Sequence, residues 1–177
     1  MLYNCIWMKR NLANFITSLR ILGTIILIFL PTLSKQYLIM HVFTGITDAL
    51  DGYVARKTNT VSSFGSKLDT ASDLLFYSVM MLKLWDILHA NLPNYVWTLI
   101  YIVLILRAIY YILVGVVFKT LSSKHSIMNK VVGFLMFMLP FVANNKLLLH
   151  YSFIILTIAY ISLAYEIILV IKDRKVS

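Results

Sequence analysis

The chain has 177 residues, of which 60% are hydrophobic and only 13% charged, and its mean hydropathy is +0.85. A soluble domain is about 45–50% apolar and about 25% charged, so this composition excludes an ordinary water-facing surface and indicates a membrane protein. The formal net charge of +9 does not point to nucleic acid, because the Lys and Arg residues are scattered among apolar segments and form no basic arm.

At about 20 residues per crossing, the length accommodates an all-α chain of six transmembrane helices, forming one integral-membrane domain over residues 1–177. The apolar stretches predict spans at about 14–33, 36–55, 66–88, 94–118, 127–144 and 148–171. The first is not a signal peptide, since it is long and no small-residue cleavage site follows Pro31. Cys5 is expected to be a small apolar residue near the interface, with no disulfide partner. Pro31, Pro93 and Pro140 fall near span ends, and no repeat or flexible linker suggests a second domain.

Six spans place both termini on one side, and the basic residues identify that side. Lys9, Arg10, Arg20, Arg56, Lys57, Lys67, Lys119, Lys124, Lys130, Lys172, Arg174 and Lys175 fall at one set of ends, against Lys35, Lys83 and Lys146 at the other. That asymmetry predicts cytoplasmic termini. Trp7, Trp85, Tyr95 and Trp97 cluster near span ends, as expected of interfacial anchors.

Four of the seven acidic residues, Asp48, Asp51, Asp69 and Asp73, lie at the cytoplasmic ends of spans two and three. A charge within a span costs at least ~2.5–3.5 kcal/mol, so four together need a compensating partner. Asp48 and Asp51 are spaced i, i+3 and Asp69 and Asp73 i, i+4, so each pair projects from one helix face, and antiparallel spans bring the pairs together. Carboxylate oxygens suit Mg²⁺ or Mn²⁺, and four of them can hold two ions that clamp a diphosphate. Gly45, Gly52, Ala55 and Gly65 leave room for a ligand or a close helix, and Arg56 offers a planar fork to phosphate.

Asp48, Asp51, Gly52, Ala55, Arg56, Gly65, Asp69 and Asp73 fill the pattern D-x2-D-G-x2-A-R-x8-G-x3-D-x3-D with every gap of the right length. The chain thereby resembles the CDP-alcohol phosphotransferase family, in appearance nearest its bacterial phosphatidylglycerophosphate synthase-like members. The resemblance implies a CDP-linked lipid donor, two metal ions on Asp48, Asp51, Asp69 and Asp73, and Asp73 as general base. It also implies that Gly52, Ala55, Arg56 and Gly65 line the cytidine and phosphate pocket. Residues 13–20, A-N-F-I-T-S-L-R, are similar to the P-N-x-x-T-x-x-R opening of those synthases, with Ala13 in place of proline. Asn14, Thr17 and Arg20 would then lie beside the nucleotide, or else form a polar membrane-entry turn. A departure is Ala108, which follows Arg107 where those synthases often carry an acidic residue.

The expected reaction moves a phosphatidyl group from CDP-diacylglycerol to a small alcohol, foremost glycerol 3-phosphate, at the cytoplasmic face of the cell membrane. Inositol phosphate, phosphatidylglycerol, or diacylglycerol with a CDP-aminoalcohol are the alternatives within the family. A phosphate-bearing acceptor needs cations, for which Arg107, Lys124 and Lys130 are candidates; Arg107 otherwise pairs with Glu166, and the two lysines otherwise act as topology anchors. His41, His89, His125 and His150 form no metal-spaced set. A homodimer is expected by resemblance. From other classes, a divalent-cation carrier would need midplane carboxylates and a broken helix, and a scaffold would bind cations incidentally.

Overall fold

A computed structural model describes residues 2–57, 63–118 and 127–174; the side chains of 2–14, 49, 51–56, 63–64, 66, 116–118, 127 and 171–174 lie outside that description. Among the described residues there are six α-helices and no strand: α1 (Leu2–Phe29), α2 (Lys35–Lys57), α3 (Ser63–Asn91), α4 (Asn94–Phe118), α5 (Ile127–Val142) and α6 (Leu148–Arg174). Stretches Asn94–Gly115 and Leu148–Val170 are long and apolar enough to cross a membrane, and Phe15–Phe29 and Met128–Val142 are shorter apolar helices.

Helix α1 begins well before the expected position 14, because Leu2–Leu12 contains no Gly or Pro to break it; hydropathy marks a crossing, whereas a helix runs on until a breaker. It ends at Phe29 rather than 33, where Pro31 intervenes and Leu33 turns into the left-handed region at φ 58°. Ser34 then caps α2: its Oγ accepts from the Tyr37 N–H at 3.1 Å, three residues into the helix.

Two compact units divide the chain, residues 1–86 and 87–177. In the first, α1 packs along α2 through Thr17, Arg20, Thr24 and Leu27 on one side and Tyr37, His41, Thr44 and Thr47 on the other, all buried. These spacings of three and four residues make one stripe per helix. Thr24, Thr44 and Thr47 bond their hydroxyls to carbonyls of their own helices (Arg20, Met40 and Thr44), so they sit in an apolar interface without cross-helix partners. Arg20 meets Asp48 and residues 69–73, while near the other end Lys83 donates to the Ile28 carbonyl at 3.1 Å. With His41 stacked on Phe76 at 5.0 Å, this register runs α1 and α3 parallel, with α2 antiparallel to both.

In the second unit, α6 packs against both α4 and α5. Tyr151 donates to the Leu135 carbonyl (2.7 Å) and Tyr160 to the Leu99 carbonyl (2.9 Å), satisfying the α6 phenols on neighbouring backbones. Trp97 is buried, its ring edge-on to His89 at 5.1 Å, whereas Trp85 and Tyr95 are exposed. The α3–α4 corner is closed by the Val96 N–H on the Pro93 carbonyl at 3.0 Å.

Candidate active site

Asp48 from α2 and Asp69 and Asp73 from α3 converge so that one carboxylate oxygen of each lies within 4.8 Å of the others. Like charges at that separation repel by a few kcal/mol per pair at an effective dielectric of ~20, less where solvent screens them, so they need a counter-charge. Arg20 of α1 supplies it. Its Nη2 pairs with Asp48 Oδ1 at 3.0 Å and donates to Asp69 Oδ1 at 3.1 Å. Its Nη1 donates to Asp69 Oδ1 at 3.1 Å, to Ser72 Oγ at 3.0 Å and to Asp73 Oδ1. Ser72, itself buried, donates its O–H to the Asp69 carbonyl at 2.8 Å, which aims its lone pairs at the guanidinium.

Burial is uneven across this cluster. The Arg20 side chain is 1% exposed, whereas those of Asp48, Asp69 and Asp73 are 54%, 47% and 45% exposed. The guanidinium therefore lies beneath the carboxylates, which keep a solvent-facing side. Three negative charges against one positive leave an excess of two, and the donors are all carboxylate oxygens. Such a set fits Mg²⁺ or Mn²⁺, which prefer hard oxygen ligands, and does not fit a thiolate- or imidazole-preferring metal.

Of the other expected site residues, Thr17 is buried on α1 one turn before Arg20, and Gly65 is half-buried on α3. Asp51, Gly52, Ala55 and Arg56 belong to α2 and Asn14 to α1, but their side chains lie outside the described residues, as does Cys5; Lys124 lies outside altogether. Lys130 is exposed on α5. His41 is fully buried between the rings of Tyr37 and Phe76, a packed position.

Arg107 does not reach Glu166 directly. Asn129 stands between them: its Oδ1 accepts from Arg107 Nη2 at 2.7 Å and from Ser162 Oγ at 2.6 Å, while its Nδ2 donates to Glu166 Oε1. In place of the expected direct ion pair there is a relay through an amide, in which α5 supplies the residue that bridges α4 and α6. Sequence reasoning missed Asn129 and Ser162, and it counted Arg20 as a topology charge and a nucleotide neighbour without linking it to the carboxylates. For Arg20 a signal was available, a charged side chain at the edge of an apolar stretch; Asn129, at the polar start of α5, and Ser162 gave none that stood out from the sequence.

The sequence pattern described as CDP-alcohol phosphatidyltransferase matches residues 10–171. A CDP-diacylglycerol–serine O-phosphatidyltransferase of Methanocaldococcus jannaschii is 42% identical over 69 residues, 39% of this chain and 32% of that protein. CDP-diacylglycerol–glycerol-3-phosphate 3-phosphatidyltransferases of Rickettsia bellii and Haemophilus influenzae are 40% identical over 85 residues and 37% over 71, covering 44% and 37% of this chain and 47% and 38% of theirs. The chain thus spans less than half the length of these relatives. No solved structure matches it significantly. With the family pattern covering nearly the whole sequence, the chain belongs to the CDP-alcohol phosphatidyltransferase family.

Proposed function

We propose that the protein is an integral-membrane phosphatidyltransferase that moves a phosphatidyl group from CDP-diacylglycerol to glycerol 3-phosphate and releases CMP. The observation that carries this reading is the convergence of Asp48, Asp69 and Asp73 within 4.8 Å, in a chain of this family. The glycerol 3-phosphate acceptor is favoured by the names of the relatives from Rickettsia bellii and Haemophilus influenzae. The cation-carrier and scaffold alternatives leave the family match over residues 10–171 without an explanation.

Asp48, Asp51, Asp69 and Asp73 would hold divalent metal, which would supply neutralisation of the donor's diphosphate. Asp73 takes the proton from the acceptor hydroxyl. The hydroxyl oxygen then bonds to the lipid-side phosphorus as the phosphoanhydride P–O bond breaks, and CMP leaves with that electron pair. Gly52, Ala55, Arg56 and Gly65, with Asn14 and Thr17, hold the nucleotide and its phosphates; Arg107, Lys124 and Lys130 attract the acceptor's phosphate.

All six helices serve as spans of one membrane domain, with both termini and the carboxylates on the cytoplasmic side of the cell membrane, and two copies form a homodimer. Exposed Leu104, Ile105, Ile112 and Leu113 on α4 support a lipid-facing surface.

The test is CMP release by the purified protein in detergent, with CDP-diacylglycerol, Mg²⁺ or Mn²⁺, and separately glycerol 3-phosphate, serine and inositol phosphate. Release with glycerol 3-phosphate alone is expected. Release with serine or inositol phosphate instead would reassign the acceptor, and none with any acceptor would refute the donor.

A further inference from the structure

We infer that Arg20 is a positioning residue for the metal-binding carboxylates: it gathers Asp48, Asp69 and Asp73 into a ligand set before any cation arrives. The inference rests on the metal-site reading proposed above and adds a fifth residue, from a different helix, to its machinery.

Three observations carry it. Every described Arg20 contact to a carboxylate falls on an Oδ1 atom, one on each aspartate, so a single guanidinium ties α2 to α3 through three side chains. The guanidinium is buried at 1% exposure while the aspartates remain about half exposed, so the clamp acts from beneath and leaves a side of each carboxylate toward solvent. Ser72, one residue from Asp73, accepts a further N–H at 3.0 Å and is held by the Asp69 carbonyl at 2.8 Å, which fixes the fork in orientation.

Only arginine meets these demands. The two terminal nitrogens of a guanidinium carry four N–H in one plane, enough for three carboxylates and a hydroxyl, whereas an ammonium presents a single point charge. One positive charge also leaves the trio two charges negative, so the clamp relieves repulsion without removing the attraction for a divalent ion. A partner that orients ligands in this way typically contributes about 10–100-fold in metal affinity. Its effect on the reaction follows from that role, since Arg20 itself is buried away from the solvent-facing side that a substrate would approach.

Mn²⁺ binding to the full-length protein in detergent tests this, with free Mn²⁺ read by its paramagnetic resonance signal and no substrate present. Arg20→Lys keeps the charge and loses the fork; its Mn²⁺ dissociation constant is expected to rise about tenfold or more. Arg20→Gln is expected to weaken binding as well, because three unclamped carboxylates splay apart. Ser34→Ala, which lowers stability by removing the α2 cap, is expected to bind Mn²⁺ as the parent does, separating positioning from general loosening. Unchanged affinity in both Arg20 variants would overturn the inference, and tighter binding in Arg20→Gln would show instead that the guanidinium competes with the cation. If the parent binds Mn²⁺ and Asp73→Asn does not, the metal-site reading stands whatever the Arg20 variants do. If the parent and the Arg20 variants alike bind none, that reading falls and takes the inference with it.

Discussion

A Cβ added to Gly23 of α1 would stand 2.8 Å from Thr44 Oγ1 of α2, closer than packed carbon and oxygen tolerate. Thr44 is buried and its hydroxyl is committed to the Met40 carbonyl at 2.8 Å, so it has little freedom to yield. Small residues at such a crossing let two helix backbones approach closely within a membrane. One turn away on each helix lie Arg20 and Asp48, so the same contact sets the separation across which the ion pair forms.

Gly23→Ala is therefore expected to destabilise the protein by about 1–3 kcal/mol, the usual cost of overpacking, despite alanine's better helix propensity. Adding Thr44→Ala removes the obstructing oxygen and should recover most of the loss. Thermal unfolding in detergent of the two single variants and the double variant checks this; a double variant no better than Gly23→Ala alone would place the strain elsewhere.

The helices were legible in the sequence because apolar runs are bounded by breakers: Pro31 closes α1, Pro93 precedes α4, and Asn145 turns the chain into α6 with its carbonyl accepting from the Leu148 N–H. Helix ends beyond the apolar core were not legible, as α1 and α6 show by continuing to Leu2 and Arg174 through polar residues that still favour helix. The carboxylate pairs were legible for the same local reason, since i, i+3 and i, i+4 spacings fix a face. The contact of Arg20 with those carboxylates was not legible, because which helix stands behind that face is a matter of packing between distant segments, which no local period encodes. Its burial beneath Asp69 and Asp73 spans 49 and 53 residues of chain.

Asn129 carries three hydrogen bonds that join α4, α5 and α6, and replacing it removes all three. Asn129→Leu leaves the buried Glu166 carboxylate and the Arg107 guanidinium without their described partners and is expected to cost about 1.5–3 kcal/mol or more, the range for a lost hydrogen bond to a charged group. Pairing it with Glu166→Gln, which removes the charge, should restore part of that loss. The double-variant cycle in thermal unfolding measures the coupling, and strict additivity would mean that Asn129 and Glu166 stabilise the helices independently.

Chelating divalent metal with EDTA is expected to abolish CMP release, and Mg²⁺ or Mn²⁺ should restore it. Among single variants, Asp48→Asn should shift the metal concentration needed for half-maximal rate while leaving appreciable turnover at saturation. Asp73→Asn should lower kcat by about 10²–10⁴-fold, the usual worth of a general base, and remain low however much metal is added. Recovery of Asp73→Asn at high Mn²⁺ would reduce Asp73 to a ligand and move the base to another residue.

Arg107 offers the sharpest separation between a structural role and an acceptor-binding one. Its Nη2 is engaged by Asn129, and it is half-buried, not sealed in the interior. A charge-assisted contact to a phosphate contributes about 1.5–3 kcal/mol, so Arg107→Gln is expected to raise KM for glycerol 3-phosphate about tenfold or more while KM for CDP-diacylglycerol stays unchanged. Glutamine can still donate toward Asn129 but removes the positive charge that the relay links to buried Glu166, so some loss of thermal stability is expected beside the change in KM. A lower unfolding temperature with both KM values unchanged would assign Arg107 to the Asn129 relay alone, leaving Lys124 and Lys130 as the cations for the acceptor.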